Sequence, residues 1–367
     1  MSAFALYTNT VTFGGPIATK EFLMASGAIS QPTSGTDLTV TDTFTWTGGT
    51  LNSASTESTV YLNGAVGTIS SAGTLTLGSA LVVNNGATLA SDASLNFSHG
   101  SPVTVDNATM TISAVPMGGI VWSGPAGSYD DGKAKVELKT NGTITIGTNV
   151  QFDAKNRTFL NNGGNLNIED GAFASFGANL APANPTAPKK IDIVQNSGTI
   201  TISGANGTLK SKYGSMKVNG GNLVVDVVGA NSSTGKVDAQ LTIAGGTVKM
   251  LGGYGTLKVT KDLYWIGGTF LCGLNVGNQV ADKIRADEKF YIGGNVTISI
   301  YIPNWNTLPL GVTFTARVLE AGGGFKPVVA NEDIDITLAL PPGGPGLKLQ
   351  GSTLVMDGTE VYDLVPA

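Results

Sequence analysis

The sequence predicts an all-β fold: a right-handed parallel β-helix (β-solenoid) of about ten coils of ~23 residues, with a β-rich closing segment on its C-terminal side. Three observations lead there. Of 367 residues 51 are glycine and only 13% are charged, and the rest is rich in Thr, Ser, Asn, Val, Leu and Ile, which suit short strands and tight turns. No stretch places apolar residues at helical spacing for three turns, because Gly or Asn interrupts nearly every window. A short unit also recurs: an apolar pair, a Gly- or Asn-containing bend, then Thr or Asn followed by an aliphatic residue. With 41% hydrophobic residues set in alternation, the chain has the material for a core and is not read as disordered.

The recurring unit appears at Phe44–Leu51, Phe159–Leu166, Val194–Ile200, Met216–Leu223, Leu241–Val248, Leu263–Phe270 and Phe290–Val296. Its last glycines, such as Gly198, Gly221, Gly246, Gly268 and Gly294, follow one another at 22 to 26 residues. The longer interval from Gly73 to Gly142 accommodates three units of ~23, and the proline-rich run from Ala181 to Lys190 reads as an excursion from one coil. Three strands of four or five residues with three bends need about 20 to 25 residues, which accounts for the period. Between bends, runs such as Thr143-Ile-Thr-Ile146 and Thr199-Ile-Thr-Ile202 alternate, so Ile, Leu and Val face inward and Thr, Asn and Lys face water. One coil cannot enclose a core, so each must stack on the next at about 4.8 Å. Right-handed winding follows the general preference of parallel crossovers. Three segments result: residues 1–40 as an N-terminal cap or pairing segment, 41–280 as the solenoid, and 281–367 as a closing segment of longer strands and hairpins that covers an otherwise open sheet edge.

The net charge of -5 and the three arginines, Arg157, Arg285 and Arg317, do not make a nucleic-acid footprint. Lys189 and Lys190 fall in the proline-rich loop and read as a solvated turn. Cys272 is the only cysteine, which excludes an internal disulfide and a cysteine-based metal site. No apolar run is long enough to span a membrane as a helix, and the N-terminus lacks the pattern of a secretory signal.

Catalysis on a stacked β-fold needs carboxylates or bases gathered across adjacent coils. Asp130-Asp131 precedes Gly132 and Glu169-Asp170 precedes Gly171, so both pairs read as turns. Asp333 and Asp335 alternate with Ile334 and Ile336, which sets both carboxylates on one strand face as a candidate calcium site; otherwise no cofactor is expected. The run Gly252-Gly-Tyr-Gly-Thr-Leu257 has the glycines of a calcium nonapeptide but leucine where the ligand aspartate belongs. Ser98 and His99 are neighbours on a strand and point to opposite faces. Cys272 lies in an apolar strand and reads as core. Trp46, Trp122, Trp265 and Trp305, with Tyr264 and Tyr291, form a sugar-stacking stripe if several face outward, with Trp122 and Trp305 as the candidate rings to test; the equivalent repeat positions of Trp46 and Trp265 favour packing as the plainer reading.

The unit Thr45–Leu51, the Asn-Asn-Gly bends and the ending from Ala281 through Ala321 resemble the repeat passengers of large bacterial surface proteins, among them autotransporter-like adhesins and the repeat-rich extracellular proteins of planctomycetes. The resemblance covers the chain from about residue 38 onward. It implies a non-enzymatic structural or adhesive module at the cell surface or in the extracellular matrix, and it carries over no catalytic residue. The expected partners are further copies of the chain joined end to end into a filament, neighbouring repeats, or surface glycans. Two alternatives remain beside it: a polysaccharide-active lyase or glycosidase, and a carbohydrate-binding rod without turnover.

Overall fold

The protein is described by a computed structural model. Described are residues 1–31, 35–53, 58–113, 119–125, 134–178, 190–227, 233–275, 278–302, 315–329, 336–340, 347–354 and 360–366. Every regular element among them is a β-strand, and nearly all pairings are parallel. The chain divides into two compact units, one of residues 1–194 with 210–214 and one of residues 195–209 with 215–367.

In the first unit, most parallel partners in this series stand 21 to 23 residues apart in sequence, and one step, from Val103 to Val136, is longer. Leu38 pairs with Val60, Val60 with Leu81, and Leu81 with Val103. Val103 then pairs with Val136, and Val136 with Phe159. All six are buried, so one position of each strand fills one column of the interior. A second column begins with the stacked rings of Phe4, Phe22 and Phe44, 5.6 and 5.2 Å apart, and continues through Leu89, Met110, Ile144 and Leu166. Residues 1–40, expected to cap or to pair, supply Ala3–Leu6 and Ile17–Met24, which join this ladder in parallel register with Leu38–Trp46.

Among the charges buried in the first unit is a guanidinium set into its apolar interior. The Arg157 side chain is fully buried over the Phe97 ring at 3.9 Å and donates through Nη2 to the Ser101 carbonyl, and desolvation pushes its pKa down to about 9. The bonding to a backbone carbonyl and the cation–π contact offset part of the cost of burying the guanidinium.

The second unit repeats the scheme. Ile200, Leu223, Val248, Phe270 and Ile298 form one buried column, and Leu241, Leu263, Phe290 and Phe325 another. The Gly-Gly-Thr unit has a steric origin. Gly221, Gly246 and Gly268 adopt φ of 75°, 76° and 89°, and a Cβ on Gly246 would stand 2.5 Å from the Gly221 carbonyl oxygen. That same oxygen accepts a hydrogen bond from Thr247 N–H at 2.8 Å, so the residue after the bend opens the next strand. Antiparallel pairing of strands is found, among the described residues, in this unit: Leu274 with Ala281, Ala316–Ala321 with Glu360–Pro366, and Leu347–Leu354 with Glu360–Pro366. The segments 303–314 and 341–346, expected to contribute strands and a turn, lie outside the described residues.

Candidate functional site

A depression in the second unit is built by a missing side chain. Gly273 lies in the long strand Leu263–Asn275, in register with Tyr301 on the adjacent strand. A Cβ on Gly273 would meet Asp282 Oδ2 at 2.9 Å and the Tyr254 ring at 3.5 Å, so glycine lets both groups close in on the backbone. Gly253 and Gly255 hold Tyr254 between them, where added Cβ atoms would press on Val227 at 3.1 and 2.6 Å. Around the depression Leu251, Leu271 and Tyr301 are exposed, Tyr301 by 68%. Together with Met250 and Tyr254 they line an apolar cavity of about 420 Å³.

Beneath it sits Asp282, whose residue is 4% exposed. Ala281, the residue before it, pairs antiparallel with Leu274. Asp282 Oδ1 accepts from Gly255 N–H at 3.0 Å and its Oδ2 from Gly273 N–H at 2.7 Å. Those bonds favour the charged form, but desolvation outweighs them and raises the carboxyl to about 6. Burial first, and then Asp282, lift the Tyr254 phenol above its ordinary value, so at neutral pH it keeps its proton. Cys272 is buried beside it, its thiol 3.4 Å from the Asp282 carbonyl oxygen and pushed well up by burial.

A second cavity of about 420 Å³ is also lined by Tyr254, together with Thr256, Asn278, Gln279, Lys283 and Arg317. Its cations are held by Glu320, a nearly buried acid that meets Lys283 Nζ at 2.9 Å, Arg285 Nη1 at 3.4 Å and Arg317 Nη1 at 3.4 Å. Arg317 Nε also faces Asp363 at 3.7 Å. The first cavity thus has an apolar wall flanked by tyrosines, and the second a polar wall that carries Lys283 and Arg317. Asp282 is the one carboxylate among their described lining residues, whereas glycoside hydrolysis ordinarily uses two.

Of the residues singled out from sequence, Trp122 is corrected. It is fully buried with its ring 6.0 Å from Phe97 and 5.2 Å from Phe152, and it packs the interior without offering a face to a ligand. Trp46 and Trp265 are buried likewise, and so is Cys272. Trp305, Asp333 and Asp335 lie outside the described residues, as do Asp130 and Asp131. Glu169 sits at a turn, accepting from Thr148 N–H at 2.9 Å and Thr148 Oγ1 at 2.8 Å. Leu257, in the ligand place of the nonapeptide pattern, is core. Among the described residues no group of three or more His, Cys, Asp and Glu is placed to hold a metal ion. Tyr254, Asp282 and Tyr301 escaped sequence reasoning, although a tyrosine between glycines in Gly253-Tyr-Gly255 was a signal for an aromatic ring on an open bend.

No family model matches the chain, and no curated protein matches its sequence.

Proposed function

We propose that each unit is built as a right-handed parallel β-solenoid and that the chain is a structural or adhesive module of an extracellular surface or matrix. The observation that carries this reading is the run of parallel pairings from Ala3–Leu6 to Thr158–Ile168 in the first unit and from Thr199 to Thr337 in the second, with apolar columns inside. Such a ladder places a large surface on a rigid frame, which suits presentation and spacing. Ala3–Leu6 pairs on one side only among the described strands, so its other edge has the hydrogen-bonding groups to receive a second copy or a neighbouring repeat. Negative-stain images of the purified chain test self-assembly: filaments lengthening with concentration are expected, and single particles at every concentration and salt level overturn it.

A second reading, glycan binding without turnover, is favoured by the exposed Tyr301 beside Tyr254 over the Gly273 depression. Binding on a glycan array that disappears in Tyr301→Ala, with melting unchanged, is its expected outcome; an array blank for the wild-type chain removes it.

A further inference from the structure

The first unit carries a surface whose regularity exceeds what strand formation requires. Five successive parallel pairings join segments of Leu38–Trp46, Val66–Ile69, Thr88–Ser91, Thr109–Ile112, Thr143–Ile146 and Thr158–Ile168 without a register shift. One outward row reads Thr43, Val66, Thr88, Thr109, Thr143 and Asn165. The second, two residues on, reads Thr45, Thr68, Ala90, Thr111, Thr145 and Asn167. The residue between them on every strand, from Phe44 to Leu166, is buried, which pins both rows outward.

Eight of these twelve positions are threonine, and none is charged or aromatic; the uncharged array ends at Thr43, whose partner on Ile17–Met24 is Glu21. High β-propensity explains threonine on any solvated strand. It does not explain the missing charges, because other strands of the same unit carry Asp106, Lys135, Glu137, Asp153 and Lys155. Threonine is stiff at χ1, so each row sets out hydroxyls and methyls as a fixed pattern. The pattern repeats at about 4.8 Å across strands and about 6.7 Å along them. Both repeats lie close to oxygen spacings on the surfaces of hexagonal ice. Water held over methyls and anchored by hydroxyls at these intervals is already ordered as a crystal layer, and a surface without charge has no ionic hydration shell to strip before joining an uncharged lattice.

We infer that this threonine face binds ice. The ligand is the ordered water of a crystal surface, held by a two-row array that requires neither cavity nor cofactor. The site is separate from the Tyr254 depression, so either stands if the other fails.

The test uses the full chain, with slow freezing around a cooled probe to measure the fraction of protein taken into ice and microscopy to measure ice recrystallisation. The wild type is expected to enter the ice and to arrest grain growth. The double variant Thr109→Tyr, Thr111→Tyr places rings in the middle of the array at positions where tyrosine keeps its β-propensity, and is expected to lose both effects by an order of magnitude with its far-ultraviolet circular dichroism unchanged. Thr109→Val retains the methyl shape and is expected to keep most of the activity, which separates loss of the array from loss of the fold. Lys155→Ala, on another strand, is expected to match the wild type. Wild-type protein left in the liquid overturns the inference, as does undiminished activity in the double variant. Co-sedimentation with crystalline cellulose or chitin through the same two threonines, with no effect on ice, also overturns it and reassigns the face to a crystalline polysaccharide.

Discussion

Asp282 accepts two backbone hydrogen bonds, from Gly255 and Gly273, and still has its pKa raised from 3.8 to about 6, because water is excluded from the carboxyl more completely than two N–H groups can compensate. The direction of the stability change follows from proton counting. Between about pH 4 and pH 6 the native state holds a proton that the unfolded state has released, so the native state loses ground as pH rises. The contribution is complete below the unfolded pKa and gone above about pH 6, and a shift of this size corresponds to on the order of 3 kcal/mol. Asparagine at this place cannot ionise, although its amide must turn an N–H toward one of the two glycine N–H groups. Unfolding of wild type and Asp282→Asn, compared at pH 4 and pH 7, is therefore expected to show the wild type losing its advantage as pH rises. The same difference between the two proteins at both pH values would contradict the burial of a proton at this site.

At the scale of single elements, the bends were the most legible feature and the exposed faces the least. Gly-Gly-Thr at Gly245–Thr247 and Gly267–Thr269 announced a bend, and the positive φ of Gly246 and Gly268 beneath a neighbouring carbonyl is the physical reason no other residue serves there. Alternation in Thr143–Ile146 likewise fixed which side chains go inward, since a strand has only two faces. The even division of Gly73 to Gly142 into three equal units was less accurate. Leu89 pairs with Met110 21 residues on, but Met110 with Ile144 34 residues on, so that step is longer than the even division allows. The Tyr254 depression was illegible for another reason. It depends on Gly273, Asp282 and Tyr301 meeting across strands, and no spacing within one strand encodes the register that joins them. Of the two readings open for Trp122 from sequence, the packed one is found, its ring lying against Phe97 and Phe152 on the strands to either side.

At the scale of the whole molecule, a ladder in which parallel strands pair with near neighbours in sequence makes stability a sum of neighbouring terms instead of a property of one shared core. Leu223 touches the column through Ile200 and Val248, and the effect of a defect in one strand is carried chiefly by the strands paired to it. Gly246→Ala is a suitable defect: its Cβ would stand 2.5 Å from the Gly221 oxygen at a φ of 76°, a strain on the order of 2 to 4 kcal/mol. Hydrogen–deuterium exchange on the full chain should then be faster in peptides covering Asn222–Asp226, Thr247–Leu251 and Leu263–Asn275, which pair around the altered bend. Peptides covering Thr88–Ser91 and Thr109–Ile112, many pairings away, should exchange as in the wild type. Gly14→Ala, where nothing lies within 4 Å of the added carbon, provides the matched control and should leave every peptide unchanged. A uniform acceleration across the chain in Gly246→Ala would mean that all strands open together, and stability could then no longer be assigned to nearest neighbours.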